Sequence, residues 1–184
     1  FYAFDSTTID LCLSLYDWAR FRSTKSGIKV HTQLDIRTEI STSFTITDAV
    51  VHDVNAMDSI AYEPFACYIF DRGYFDLRRL YHINEVSSFF VIREKRRPKY
   101  EITAGEDVLE GTDNVLQDQT IRFTGKRNCT NYPSEIRRIV YYSPEMNRTF
   151  TYYTNNFYLK ASDIALLYKN RWKVELFFKF LKQH

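Results

Sequence analysis

Four side chains near the end of the sequence have types and spacing that could do chemistry together: Tyr168, Arg171, Glu175 and Lys182. On one helix, at ~100° per residue, all four would point within an arc of roughly 60°. That stripe would carry a phenol, a guanidinium, a carboxylate and an ammonium. The plainer alternative is an ordinary i, i+4 salt bridge between Arg171 and Glu175, worth only ~0.3–0.5 kcal/mol.

Two further acids follow apolar runs that predict buried strands. Asp5 comes after residues 1–4, and Asp71 ends the continuous apolar run 65–70. Acids at the ends of strands in an α/β sheet converge on a common crevice. Asp71 is the better defined of the two, because other carboxylates could replace Asp5 in such a group, namely Asp10, Asp17 and Asp35.

Three convergent carboxylates, Asp5, Asp71 and Glu175, would repel one another. The usual remedy is a hard divalent cation with oxygen ligands, Mg²⁺ or Mn²⁺. Two such ions can clamp a phosphate for an in-line displacement. The pattern therefore predicts phosphodiester chemistry, with the phenol, guanidinium and ammonium of the stripe holding DNA phosphates beside two metal ions.

These side chains need a scaffold, and the sequence predicts an α/β one. Strands are expected at residues 1–6, at 28–35 after a turn at Ser26-Gly27, and at 43–47, together forming an antiparallel meander. A strand over 65–70, a helix over 76–83 and a strand over 88–93 predict a parallel crossover unit.

The rest of the chain changes character. Residues 94–155 predict an inserted β-rich subdomain that ends in a hairpin of strands 136–142 and 149–153. Residues 161–184 predict one long helix, packed against a sheet by apolar residues that include Trp172, Leu176 and Phe178.

Several stretches of the chain match one known family. The Tyr-Arg-Glu-Lys spacing is joined by Asp5-Ser6-Thr7, Asp71-Arg72-Gly73-Tyr74, Phe90-Val91-Ile92-Arg93, Asn155-Asn156 and residues 164–179. With these motifs the sequence resembles the DDE transposases of bacterial insertion sequences, in the branch marked by that signature. The resemblance covers nearly the whole chain.

The resemblance implies a ribonuclease-H-like mixed sheet flanked by helices, with residues 1–93 and 156–184 as the catalytic core and 94–155 as the insertion. It implies Asp5, Asp71 and Glu175 as catalytic metal ligands. It also implies cleavage at transposon ends, strand transfer into target DNA, and a homodimer on double-stranded DNA. In some relatives an aromatic of the insertion stacks on a flipped base, and the candidates here are Tyr100, Phe123, Tyr132, Tyr141 and Tyr142.

Two other functions remain open. A metal-dependent nuclease of the same fold would share the site chemistry, and the Tyr, Arg and Lys signature favours transposition over it. A DNA-binding protein derived from an inactive transposase is the other alternative, and the presence of all three acids argues against it.

Composition sets broader bounds. At 184 residues, with 17% aromatics, the chain fits one domain or a core with one insertion, and no apolar run reaches the ~20 residues of a membrane span. Three separated cysteines, Cys12, Cys67 and Cys129, favour a reducing compartment. We therefore expect a soluble, cytoplasmic protein, excised from a longer chain because neither end carries the start or stop signals of a natural terminus. The resemblance implies that the protein is bacterial and associated with the nucleoid.

Charge and the remaining polar residues add little. The formal net charge of +2 does not by itself indicate nucleic acid, but the basic residues in 93–99 fit a DNA-backbone contact. His52 and Asp53 are expected to serve a capping or surface role. His31 is left outside the site, and Trp172 is expected in the core rather than on a base.

Overall fold

The computed structural model describes residues 1–11, 20–22, 25–95, 98–107 and 113–183. They form two compact units: unit 1 contains residues 1–61 and 170–184, and unit 2 contains residues 62–169. Predictions that involve a few residues lie outside the described part of the chain: Cys12, Asp17, Arg96, Arg97 and His184.

Unit 1 is built on an antiparallel sheet. Strand β3 pairs with β1 on one side and with β4 on the other, which confirms the predicted meander. A short strand that the sequence did not predict, β2, pairs with the start of β3. The bounds are β1 Tyr2–Leu11, β2 Arg20–Arg22, β3 Lys25–Asp35 and β4 Ser41–Asp48, followed by a 3₁₀ helix Asp53–Ser59.

Two predictions about these strands are wrong. Strand β1 continues to Leu11, because residues 6–11 keep their register with β3, so Asp5 lies inside the strand, opposite Thr32, rather than at its end. Gly27 is likewise part of β3 and makes no turn there. A Cβ at Gly27 would lie 3.3 Å from the Ile9 carbonyl oxygen, so glycine permits a close approach between the strands.

Unit 2 contains its own series of paired strands. Strands β5 and β6 are parallel, and helix α1 lies between them in the sequence, which confirms the predicted crossover unit. From β6 the series continues through antiparallel neighbours, in the order β5-β6-β10-β9-β8-β7. The bounds are β5 Cys67–Phe70, α1 Leu77–Glu85, β6 Phe89–Arg93, β7 Tyr100–Asp107, β8 Val115–Phe123, α2 Lys126–Asn131, β9 Ile136–Ser143, β10 Arg148–Thr154 and α3 Ala161–Lys169.

The β-rich segment of unit 2 extends this series of paired strands. The predicted hairpin is confirmed as β9 and β10, and β10 also pairs with β6. The crossover unit and the hairpin therefore belong to one continuous series of paired strands. The division of the chain at residues 93 and 156 stays a prediction.

The predicted single helix over 161–184 is wrong, because two helices occupy it. Helix α3 ends at Lys169 in unit 2, and α4, Trp172–Gln183, belongs to unit 1. At the break the amides of Lys173 and Val174 bond to carbonyls three residues back, those of Asn170 and Arg171, each at 3.1 Å. Asparagine is a weak helix former, because its side chain competes for backbone hydrogen bonds. The four signature residues therefore do not share one helical stripe.

Helix α4 packs on β1 through a narrow apolar face. Val174 and Phe178, one turn apart, are its buried residues. Trp172 and Leu176 are each 47% exposed, so the prediction that they pack in the core is wrong. Both lie roughly 140–180° around the helix from the buried face, at ~100° per residue.

None of the helices in the described ranges has the length and apolar character that crossing a membrane would require.

The loop that leads into α3 is held by Arg137, on β9. Its guanidinium donates to both carboxylate oxygens of Asp118, at 2.7 and 2.6 Å, and to the carbonyl oxygens of Asn156 and Leu159, at 3.2 and 2.6 Å. The side chains of Arg137 and Asp118 are 11% and 29% exposed. This network joins two strands to residues 156–159 and so fixes where α3 begins.

We predict that Arg137→Met destabilises the fold by about 2–4 kcal/mol, because it leaves a largely buried carboxylate without its cation. Urea denaturation would measure the change in the free energy of unfolding. The control is Arg122→Met, on β8, whose exposed pair with Glu135 should contribute less than about 1 kcal/mol. Equal effects of the two substitutions would contradict the proposed role of Arg137.

His31 lies buried in the sheet of unit 1. Its ring stacks on Phe4, and its Nε2 is 2.9 Å from the Thr47 hydroxyl. Burial lowers the pKa of His31 below its usual 6.5, against the opposing effect of Asp53, and Lys29 lowers it further. The unfolded chain therefore binds a proton at His31 more readily than the folded protein does.

We predict that the stability tied to His31 is fully present above about pH 6.5 and is lost as the pH falls below it toward the lower folded pKa. Unfolding free energies measured between pH 7.5 and pH 5 would show this loss. In His31→Phe, which removes the titrating group, the same pH range should produce a smaller loss. Parallel profiles for the two proteins would refute the assignment.

Candidate active site

Arg171 connects two of the predicted acids within unit 1. One nitrogen of its guanidinium, Nη1, donates to Asp5 Oδ2 at 2.5 Å, and the other, Nη2, donates to Glu175 Oε1. The side chains of Arg171, Asp5 and Glu175 are 14%, 19% and 58% exposed. The sequence predicted that Asp5 and Glu175 converge, and in unit 1 they share one cation.

A pocket of about 370 Å³ opens beside these carboxylates. It is lined by Asp5, Ser6, Thr7, Glu175, Phe178, Lys179 and Lys182. The ammonium groups of Lys179 and Lys182 form no ion pair with any carboxylate in the described part of the chain. Two acids and two lysines therefore line one concave surface. Such a surface suits an anionic substrate that binds together with a cation.

The third acid, Asp71, lies in unit 2 directly after β5, as predicted. Its Oδ1 accepts a hydrogen bond from the Tyr168 hydroxyl at 3.2 Å and lies 3.5 Å from Arg93 Nη2. The ring of Tyr168 packs on Tyr152, with 4.8 Å between the ring centroids. A signature residue and a predicted metal ligand are thus in direct contact.

Arg93 lies beside Asp71, whereas sequence reasoning placed Arg93 in a basic cluster and in a family motif but not among the site residues. Arg93 is the last residue of β6, and Asp71 directly follows β5, the strand that pairs in parallel with β6. The ends of adjacent parallel strands lie side by side, so the predicted pairing of these two strands was the signal that could have joined Arg93 to Asp71.

Of the acids that competed with Asp5, the two that the structure describes, Asp10 and Asp35, have other surroundings. Asp10 and Asp35 are not among the residues that line the pocket. Asp35 accepts a hydrogen bond from the Arg37 amide at 2.9 Å, and this bond lowers the pKa of Asp35. Its position therefore fits the turn after β3 rather than the pocket.

The pair His52 and Asp53 fits a structural role. Asp53 accepts a hydrogen bond from the Ser6 hydroxyl at 2.8 Å and pairs with Lys29 at 3.1 Å. His52 immediately precedes the 3₁₀ helix and makes no side-chain capping bond to it. Asp53 thus ties the 3₁₀ helix to the sheet of unit 1.

The structure narrows the aromatic residues that could meet a base. Phe123 and Tyr132 are fully buried and pack against each other, with 6.0 Å between ring centroids. The Tyr100 ring lies under the Arg138 guanidinium, at 5.4 Å. Among the five candidates, those with exposed ring surface are Tyr100, Tyr141 and Tyr142.

The donor chemistry of the pocket fits a hard divalent cation, since Asp5 and Glu175 present carboxylate oxygens. Within the ranges that the structure describes, no group of three or more His, Cys, Asp or Glu side chains is arranged to hold a metal ion. In unit 1 one oxygen of each of these two carboxylates accepts a hydrogen bond from the Arg171 guanidinium.

Comparison with known proteins gives a consistent family. The family model for the transposase DDE domain matches residues 1–184. A protein of Sinorhizobium fredii named as a transposase, y4zB, is 35% identical over 98% of this chain and 51% of its own length. A protein of Geobacillus stearothermophilus, named as a transposase for insertion sequence element IS5377, is 26% identical over 98% of this chain and 47% of its own length.

This chain spans about half the length of these two curated relatives. The family match nevertheless covers every residue of it. On that match, and on the 35% identity to a named transposase, the chain belongs to the DDE transposase family.

Proposed function

We propose that this chain is the catalytic core of a DNA transposase that cuts double-stranded DNA at the ends of an insertion sequence and joins the freed ends to target DNA. The observation that carries the proposal is the shared contact of Asp5 and Glu175 with Arg171 beside a pocket. An i, i+4 bridge between Arg171 and Glu175 does not account for Asp5, from the other end of the sequence, or for two pocket lysines that form no ion pair with a described carboxylate. A site for phosphate chemistry would use all of these groups.

We assign Asp5, Asp71 and Glu175 as the metal ligands. Two Mg²⁺ or Mn²⁺ ions held there would supply charge to the attacking and leaving oxygens of a phosphodiester. The exposure of the Glu175 side chain supports its assignment, because an exposed i, i+4 pair adds little to stability.

The signature residues are assigned to DNA. Lys182 lines the pocket and would bind a phosphate as a point charge. Arg171 would offer two parallel donors to phosphate oxygens. Tyr168, through its hydroxyl, positions the Asp71 carboxylate and would contact the DNA backbone beside it.

The finer fold assignment is also a proposal. The antiparallel meander of unit 1 and the parallel pair β5 and β6 of unit 2 are consistent with a ribonuclease-H-like core, with residues 94–155 as its insertion. A homodimer on the DNA and a place in the bacterial cytoplasm, on the nucleoid, complete the proposal.

We predict that Glu175→Gln and Asp71→Asn, each in the complete protein, abolish DNA cleavage and leave DNA binding within about twofold. Asn at residue 71 keeps an oxygen that can accept the Tyr168 hydrogen bond, so the fold should tolerate it. The assay uses a labelled duplex that carries the element end, a supercoiled target plasmid, and Mg²⁺ or Mn²⁺. Glu145→Gln, which removes an exposed acid paired with Lys169, is the control.

The outcomes separate three functions. Cleavage at the wild-type rate in Glu175→Gln would refute the metal site and leave the ordinary salt bridge as the function of Glu175. Cleavage by the wild-type protein without joining to the plasmid would identify a nuclease. Binding without cleavage by the wild-type protein would identify an inactive derivative.

We also predict that Lys182→Ala weakens DNA binding for all sequences alike. Loss of one phosphate contact should reduce the slope of log affinity against log salt by about 0.9. The matched control is Lys173→Ala on the same helix, whose ammonium is held by Glu39 and the Ile36 carbonyl. Titrations at several salt concentrations would measure both slopes, and an unchanged slope in Lys182→Ala would contradict a phosphate contact.

A further inference from the structure

Arg171 occupies one oxygen of each of the two carboxylates that a metal ion would use. Asp5 Oδ2 and Glu175 Oε1 each accept a hydrogen bond from the guanidinium. A divalent cation approaches its oxygen ligands to about 2.0–2.6 Å, which leaves no room for an N–H between metal and oxygen. Either cation can satisfy these oxygens, but both cannot use the same lone pairs at once.

The competition is strong because the contact is shielded. The Arg171 side chain is 14% exposed and that of Asp5 is 19% exposed, so solvent screens this pair less than it screens a surface pair. An exposed ion pair contributes little to stability, whereas a desolvated one is costly to break. Metal binding to Asp5 and Glu175 therefore includes the cost of separating Arg171 from both acids.

Released from the two carboxylates, the Arg171 guanidinium can bind another anion. Its side chain is only 14% exposed, so its charge interacts strongly with an anion nearby. Lys182 and Lys179 line the pocket beside Glu175 and form no ion pair with a described carboxylate, so the pocket already favours a polyanion. A DNA phosphate that enters it would give Arg171 a bidentate partner in exchange for the carboxylates.

We propose that Arg171 is an exchangeable counter-cation, which holds Asp5 and Glu175 until a divalent metal ion takes these carboxylates and Arg171 turns to a DNA phosphate. Metal binding and DNA binding are then thermodynamically coupled, and each raises the affinity for the other by the same factor. The coupling would favour loading of the metal on protein that has already bound DNA. This inference rests on the proposed metal and DNA functions of the same pocket.

The experiment measures Mn²⁺ binding to the complete protein without DNA, by electron paramagnetic resonance of free Mn²⁺. Arg171→Gln should bind Mn²⁺ at least about fivefold more tightly than the wild type, since the competing cation is gone and typical couplings are 5- to 150-fold. Lys182→Gln is the matched control, because it removes one positive charge from the pocket without freeing a carboxylate. It should change the Mn²⁺ affinity by less than about twofold.

A second readout tests the coupling itself. In the wild type, a saturating short duplex should tighten Mn²⁺ binding about fivefold or more, and in Arg171→Gln the same duplex should change it by less than about twofold. Thermal melting of each variant identifies protein that has failed to fold. Arg122→Gln, which removes an arginine from an exposed pair on β8, should behave as the wild type in both titrations.

The results distinguish failure of the exchange from failure of the site. Equal tightening in Arg171→Gln and Lys182→Gln would reduce the effect to local charge and overturn the exchange. Weaker Mn²⁺ binding in Arg171→Gln would make Arg171 an organiser of the ligands and also overturn it. If Asp5→Asn and Glu175→Gln retain wild-type Mn²⁺ affinity, the proposed metal site itself is wrong.

Discussion

The guanidinium of Arg171 joins the first strand of unit 1 to its last helix. Asp5 lies inside β1, where the hydrogen bonds to β3 fix the backbone and the side chain is largely removed from water. A carboxylate in such a place is costly without a counter-charge. Arg171 supplies that charge from the residue just before α4, so the charge requirement of Asp5 and the start of the helix are satisfied together.

The pocket depends on how α4 packs against β1. Val174 and Phe178 provide the apolar contact of α4, and this narrow face leaves the neighbouring side of the helix open beside β1. Glu175 and Lys182 lie on this open side. The i, i+4 bridge between Arg171 and Glu175 is present, as the plainer interpretation of the sequence held. It does not explain why the same arginine also holds Asp5, at the other end of the sequence.

Sequence reasoning succeeded where a local pattern decides the outcome. The four-residue strand Cys67–Phe70, the helix after Asp76 and the hairpin of β9 and β10 follow from an apolar run, from helical spacing and from a turn. It failed where a long-range contact outweighed a weak local preference. The helix break at Asn170 has only a weak signal in the local sequence, and Gly27 suggests a turn unless the close approach of β1 is known.

The residues proposed for the site could be named from the sequence, but most of their contacts could not. Asp5, Asp71 and Glu175 could be named, and the structure places Asp5 and Glu175 in one pocket of unit 1. The partners of the acids, Arg171 for Asp5 and Arg93 for Asp71, required the register of paired strands and the position of a helix. The bonds of Arg137 to Asp118 and to the loop before α3 required the same knowledge.

Asp71 in unit 2 has neighbours similar to those of Asp5 and Glu175 in unit 1. An arginine lies beside its carboxylate, and a phenol donates to the same oxygen. The Arg93 contact, at 3.5 Å, is longer than the 2.5 Å contact of Arg171 with Asp5, and Asp71 is somewhat more exposed. A longer and more exposed ion pair is screened more strongly, so it resists an incoming cation less. If both acids bind metal, the contact of Asp71 with Arg93 should therefore be exchanged at a lower free-energy cost than the contact of Asp5 with Arg171.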